Sequence, residues 1–187
     1  MVEESRTPDI NSDSQTRAQK RRRFVGLMVA VIIVVAALDQ LVKQIMLGWL
    51  EPGVPVPVIG DWFRFFLLFN PGAAFSMGQD STWLITTIQL VFVVGVLIAA
   101  PKVRYLGQAV GLALLAGGAL GNLCDRLFRE PGFWFGHVVD YISVGSFAVF
   151  NLADAAITVG VIIFVASVMI EEPRAEKRAQ AAGEAAR

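Results

Sequence analysis

Nine polar side chains stand where so apolar a chain gives little reason for them: Asp39, Lys43, Asn70, Asn122, Asp125, Arg126, Asp140, Asn151 and Asp154. The chemistry open to them is narrow. His137 is the only histidine, no H-E-x-x-H stretch is present, and one imidazole cannot build the usual zinc site. A serine nucleophile would have to borrow that histidine, and no serine lies in a nucleophile-elbow context. No glycine-rich phosphate loop follows a strand. Carboxylates remain. Two that share a site cannot both ionise easily, so one keeps a proton while the other serves as base. Hydrolysis of a peptide bond by activated water, without a metal or a covalent intermediate, has that requirement. Asp140 and Asp154 make the best pair, because neither has a basic neighbour in sequence or at helical spacing. Asp39 has Lys43 four residues on, in the favourable acid-first order. Asp125 adjoins Arg126, whose guanidinium would hold it ionised.

The same residues also have structural roles open to them. Asp39 and Lys43 form a helical ion pair by spacing alone. Asn151 and Asp154 match an N-cap with an acid at N3, a variant of the capping box. His137 reads as structural, and Cys124, the only cysteine, as a packed thiol with no partner for an intramolecular disulfide.

The elements that must position these groups follow from hydropathy. Of 187 residues, 55% are hydrophobic and only 17% charged, and the mean hydropathy is +0.59. A soluble domain carries about a quarter charged residues. A bilayer core needs roughly 20 consecutive apolar residues per helix, and four stretches qualify: 24–47, 82–100, 105–123 and 150–170. The expected fold is therefore a membrane all-α protein with four transmembrane helices. Of the 16 Lys and Arg residues, six precede Phe24, two lie at Lys102 and Arg104, and four follow Ile170. Cytoplasmic loops carry the Lys/Arg excess. Both termini and the 101–104 turn are thus expected in the cytoplasm, and segments 48–81 and 124–149 outside. This topology gathers all nine polar residues at one membrane face, where ionisable groups are costly and mark function. Trp49, Trp62, Trp83 and Trp134 fall in or beside the outward segments, as an interfacial belt would. The net charge of zero gives no reason to invoke nucleic acid.

Domain organisation divides into a disordered cytoplasmic tail at 1–23, a membrane domain at 24–172 and a second cytoplasmic tail at 173–187, disordered with weak helical character. The first span is read as retained, since its polar leader is long and no A-x-A site follows it. In the first outward segment, "VPVPVIG" and "WFRFFLLF" read as short strands and "NPG" as a turn. They predict a small outward-facing β-sheet, a cradle, between helices one and two. Gly107, Gly111, Gly117, Gly118 and Gly121 give the third span small-xxx-small spacing, which lets helices approach closely in lipid.

Five stretches, "LDQLVK" (38–43), "FNPGAAFS" (69–76), "GGALGNLCDR" (117–126), "HVVDY" (137–141) and "FNLADAAITVG" (150–160), resemble the motif set of the lipoprotein signal peptidases, also called signal peptidase II. The resemblance covers residues 24–172. It implies a bacterial inner-membrane aspartyl endopeptidase, with its site near the outer face. Such an enzyme removes signal peptides from prolipoproteins just before the diacylglyceryl-modified lipobox cysteine, and needs no metal and no cofactor. The catalytic aspartates of the family map onto Asp140 and Asp154. Its supporting positions map onto Asp39, Lys43, Asn70, Gly118, Asn122, Asp125, Arg126, Asn151 and Ala153. The implied partners are lipid-modified prolipoproteins, membrane lipid and globomycin-type cyclic peptide inhibitors; the expected form is a monomer. Val42 stands where the family more often has Ser or Thr, and "LFREPGFWFG" (127–136) is longer than the family's connection. Two other classes stay open for the same residues: an ion or proton carrier using these acids, and an assembly subunit held by the glycine-rich helix.

Overall fold

The computed structural model describes residues 10–72 and 82–185. Residues 1–9 and 186–187 of the expected tails, and 73–76 of the "FNPGAAFS" stretch, lie outside the described residues. Four helices organise the chain: α1 (Ile10–Trp49), α2 (Thr82–Ala99), α3 (Leu106–Phe128) and α4 (Leu152–Ala185). Each contains a segment long and apolar enough to cross a membrane, namely Arg21–Trp49, Thr82–Lys102, Leu106–Phe128 and Leu152–Glu171. The four expected spans are therefore present. The tails differ from expectation. Residues 10–23 and 173–185, read as disordered from their polarity, continue α1 and α4 as helix. Residues 17–23 are mostly Arg, Gln and Lys, and 174–185 mostly Ala, Glu, Arg and Lys, all good helix formers. They extend a helix already nucleated in the membrane segment, so the costly first turn is not theirs to make.

Helix α3 is the hub: it packs on α1, α2 and α4, and more than half of its length is buried while the other spans are mostly exposed. Its glycines explain how. A Cβ on Gly111 would lie 2.6 Å from Phe164 N, and one on Gly160 would lie 2.8 Å from Gly111 O. No side chain fits between these two backbones, which is the close approach the glycine spacing predicts. Near the α2–α3 turn, Met28 and Ile32 of α1, Val96 and Ala100, and Ala109, Ala113 and Ala116 of α3 form one apolar core.

Outside the spans lies a three-stranded antiparallel sheet in the order β1 (Val56–Ile59), β2 (Phe63–Asn70), β3 (Val138–Val144). The first two strands are the expected ones. The third comes from the connection between α3 and α4, so the cradle joins both long connections instead of lying wholly between helices one and two. Leu68 pairs with Asp140 and Asn70 with Val138 across β2 and β3. Leu50, Leu67, Val139 and Tyr141 form a second core beneath the sheet, against the end of α1. The chain then folds back. Tyr141 and Ile142 donate their N–H groups to Phe150 O, and Phe150 N–H donates to Ile142 O. That pairing sets Asp140 beside the start of α4.

Candidate active site

The first N–H groups of a helix have no partner within it, and at membrane depth each must find one. Side chains from β3 and α1, together with Asn151 just before the helix, supply them for α4. Leu152 N–H donates to Tyr141 Oη at 3.3 Å and Ala153 N–H to Asp39 Oδ1 at 3.0 Å. Asp154 N–H donates to Asn151 Oδ1 at 3.0 Å, and Asn151 N–H returns a bond to Asp154 Oδ2 at 3.1 Å. The reciprocal pair is the expected capping box. The other oxygen of Asp154, Oδ1, accepts from Asn122 Nδ2 at 2.8 Å. Gly118 belongs to the same construction, because a Cβ there would collide with Ala153 O and lie 2.8 Å from Ile157 Cγ1.

Asp140 faces this helix end from β3. It is 1% exposed, with Oδ1 accepting from Asn151 Nδ2 at 2.6 Å and Oδ2 from Asn70 Nδ2 at 2.9 Å. Burial, and then the nearby Asp154 carboxylate, push its pKa up to about 7 against the pull of the two amide donors and Lys43. Asn151 thus bridges the two acids, with its Nδ2 also 3.1 Å from Asn122 Oδ1. Tyr141, next on the strand, is pushed up to about 12 chiefly by burial and remains a neutral phenol.

Behind the pair sits a buried charge cluster. Lys43 Nζ lies 2.8 Å from Asp39 Oδ2, 2.7 Å from Asp125 Oδ2 and 2.8 Å from Asn122 Oδ1. All three ammonium protons are used, and the three charged side chains are fully buried. The helical ion pair at Asp39 and Lys43 is as expected. The pairing of Asp125 is different. Its guanidinium partner is Arg129, one turn on, and Gln40 Nε2 reaches the same oxygen at 3.0 Å. Arg126 lies alongside but points elsewhere, donating to Gly72 O at 2.8 Å and, at 3.3 Å each, to Pro71 O and Gly136 O. Successive helical residues diverge by about 100°, so Arg126 cannot reach the acceptor that Arg129, at i+4, reaches easily. It pins the chain leaving β2 instead.

All nine sequence-predicted polar positions therefore meet at one end of the bundle, eight in a continuous bonded network and Arg126 at its edge. Three participants were not anticipated: Gln40, Tyr141 and Arg129. Arg129 carries a readable signal, its i, i+4 spacing from Asp125; the other two meet partners far along the chain. His137 takes no part in this network. Among the described residues, no group of three His, Cys, Asp or Glu side chains is placed to hold a metal. The arrangement offers two carboxyl groups, that of Asp140 with a raised pKa, joined through neutral amides at one end of the helix bundle. That is a setting for general acid–base chemistry.

A family model for signal peptidase (SPase) II matches residues 31–170. A lipoprotein signal peptidase of Rhodococcus jostii (strain RHA1) is 46% identical over 163 residues, covering 87% of this chain and 81% of that protein. One from Mycobacterium avium (strain 104) is 43% identical over 158 residues, covering 84% and 87%. A bacterial membrane enzyme solved by the in meso method shares the fold with a TM-score of 0.67 at 27% identity, covering 78% of this chain and 94% of that one. The matched region takes in Asp140, Asp154 and every side chain bonded to their carboxylates, and on these findings the chain belongs to the signal peptidase II family.

Proposed function

We propose that the protein is an intramembrane aspartyl endopeptidase that removes signal peptides from prolipoproteins, cutting before the diacylglyceryl-modified cysteine. Family membership supports the peptidase class. The observation that carries the aspartyl reading is the bridge Asp140–Asn151–Asn122–Asp154, which joins the buried Asp140 to the half-buried Asp154 in one network. Asp140, pushed up to about 7, holds its proton into the neutral range and serves as the acid. Asp154 accepts a proton from water as that water attacks the scissile carbonyl, and Asp140 protonates the carbonyl oxygen. The gem-diol collapses when the departing amine takes a proton from Asp154, and Asp140 regains its own from the diol. Asn70, Asn122 and Arg126 line the approach and position the substrate backbone or lipid head. In this reading the protein is a monomer in the bacterial inner membrane, with both termini cytoplasmic and the site near the outer face. Globomycin-type cyclic peptides would occupy that same site.

The test is cleavage by the purified protein of a prolipoprotein peptide carrying a diacylglyceryl cysteine, set against the same peptide with an unmodified cysteine. The lipidated peptide is expected to be cut and the other poorly or not at all, with Asp140→Asn and Asp154→Asn each inactive at matched protein level. Cleavage by either variant would remove that residue from the pair.

A further inference from the structure

Arg129 stands outside the five motif stretches, in the long 127–136 connection, yet it reaches the centre of the buried cluster. Asp125 has four donors on its two oxygens: Arg129 Nε and Gln40 Nε2 on Oδ1, Lys43 Nζ and Val139 N–H on Oδ2, the last at 3.2 Å. Val139 is the residue before Asp140. Whatever fixes the Asp125 carboxylate therefore fixes the strand that carries Asp140. Arg129 also holds Gln40, whose Oε1 accepts from its Nη2 at 3.4 Å. The connection is in turn strapped to α2. Trp134, at φ +77°, has its carbonyl 2.9 Å from Thr86 Oγ1 and its indole N–H donating to Thr87 Oγ1 at 3.2 Å. A bulky residue in the left-handed region is strained, and these contacts hold it there.

Charge makes a second, independent case. Asp39 and Asp125 are opposed by Lys43 and Arg129, so the cluster is neutral only while Arg129 is present. Its three other members are fully buried, and Arg129 is 17% exposed. The other charged or titratable groups facing this region are Cys124 and Arg126 on α3, Asp140 and Tyr141 on β3, and Asp154 on α4. Glu130 and His137 lie across an open cleft of about 570 Å³ that Arg129, Phe69 and Phe128 also line. None of them sits on Asp125 as Arg129 does.

We propose that Arg129 is a positioning residue for the peptidase reaction, one that closes the charge balance around Asp125 and so sets the place and the electrostatic surroundings of Asp140. The role rests on the peptidase reading above. Its two components separate. Arg129→Gln removes the charge and leaves the cluster net negative, which raises the proton affinity of Asp140. The alkaline limb of the bell-shaped pH–rate profile, set by loss of the Asp140 proton, then moves to higher pH, by up to about 1 unit for a charge lost within about 10 Å in a protein-like dielectric. Arg129→Lys keeps the charge and loses the fork that holds Asp125 and Gln40 together. Its bell stays in place while kcat falls several-fold at unchanged KM.

The experiment is the pH profile of cleavage of the diacylglyceryl-cysteine peptide by full-length wild type, Arg129→Gln and Arg129→Lys in lipid bilayers. Arg104→Gln, on the far turn between α2 and α3, is the control expected to match wild type, and folded protein is quantified throughout. An alkaline limb moved to higher pH for Arg129→Gln with an unshifted, slower Arg129→Lys supports the role. An alkaline limb that stays in place for Arg129→Gln, whether the rate is unchanged or falls only with the folded fraction, overturns it and leaves the peptidase reading intact. A wild type that cuts nothing would remove the peptidase reading, and this role with it.

Discussion

Asp140→Asn tests whether the buried acid is held protonated, and stability reports it independently of catalysis. The carboxyl has a pKa raised from 3.8 to about 7 in the folded protein. A raised acid pKa means the folded state binds the proton more tightly, so stability falls as pH rises from 3.8 through 7. Integrating the single titration, the cost to the folded state is about 2 kcal/mol at pH 5 and about 4 kcal/mol at pH 8. Asparagine removes that slope and introduces a fixed penalty. Its NH2 group must face the amide of Asn70 or of Asn151. Neither can turn freely, because Asn70 Oδ1 accepts Gly72 N–H and Asn151 Oδ1 accepts Asp154 N–H. A buried donor facing a donor costs about 1–3 kcal/mol. The variant is thus expected to be roughly level with wild type at pH 5 and more stable at pH 8. At about 2–4 °C per kcal/mol for a chain of this size, the melting-temperature difference should swing by about 5–10 °C in the variant's favour. Thermal unfolding of both proteins in the same detergent from pH 5 to pH 8 measures it. A difference that stays constant across that range would refute the reasoning, whatever happens to cleavage.

Two further outcomes follow from the cluster and the charge pattern. Lys43→Met strands the buried carboxylates of Asp39 and Asp125, and breaking such a pair costs about 3–5 kcal/mol; the yield of folded protein should drop sharply, and an unchanged yield would show that the acids relax or take up protons without consequence. Alkaline phosphatase fused after Gly136 should be active and fused after Lys102 inactive, and the reverse pattern would invert the membrane orientation drawn from the Lys/Arg distribution.

Most of the frame was legible because lipid permits few alternatives. Four apolar runs of membrane length can only be helices, and the strands β1 and β2 are bounded by Pro and Gly. The capping box and the Asp39–Lys43 pair are local in sequence, so spacing alone revealed them. What escaped notice depends on distant partners. Strand β3 shows no alternation because its first four residues are all buried, one face on the bundle and the other under the sheet. Gln40 was invisible for a similar reason: its partners Gly121 and Asp125 lie 81 and 85 residues away. The misassigned partner of Asp125 shows the converse error. Adjacency in sequence suggested Arg126, but on a helix the neighbour four residues on is the closer one.

The way the first turn of α4 is completed bears on when the site comes into being during synthesis. The ribosome delivers Asp39 first, then Asn122, then Asp140 and Tyr141, and only afterwards Asn151 and Asp154. Until that last hairpin-like return is made, Asp39 Oδ1 and Tyr141 Oη have no α4 amide to receive, and Asn122 has no second carboxylate to meet. A nascent chain that has inserted three spans therefore holds one half of the acid pair. The other half arrives with the last membrane-crossing segment, whose docking against α3 joins the two.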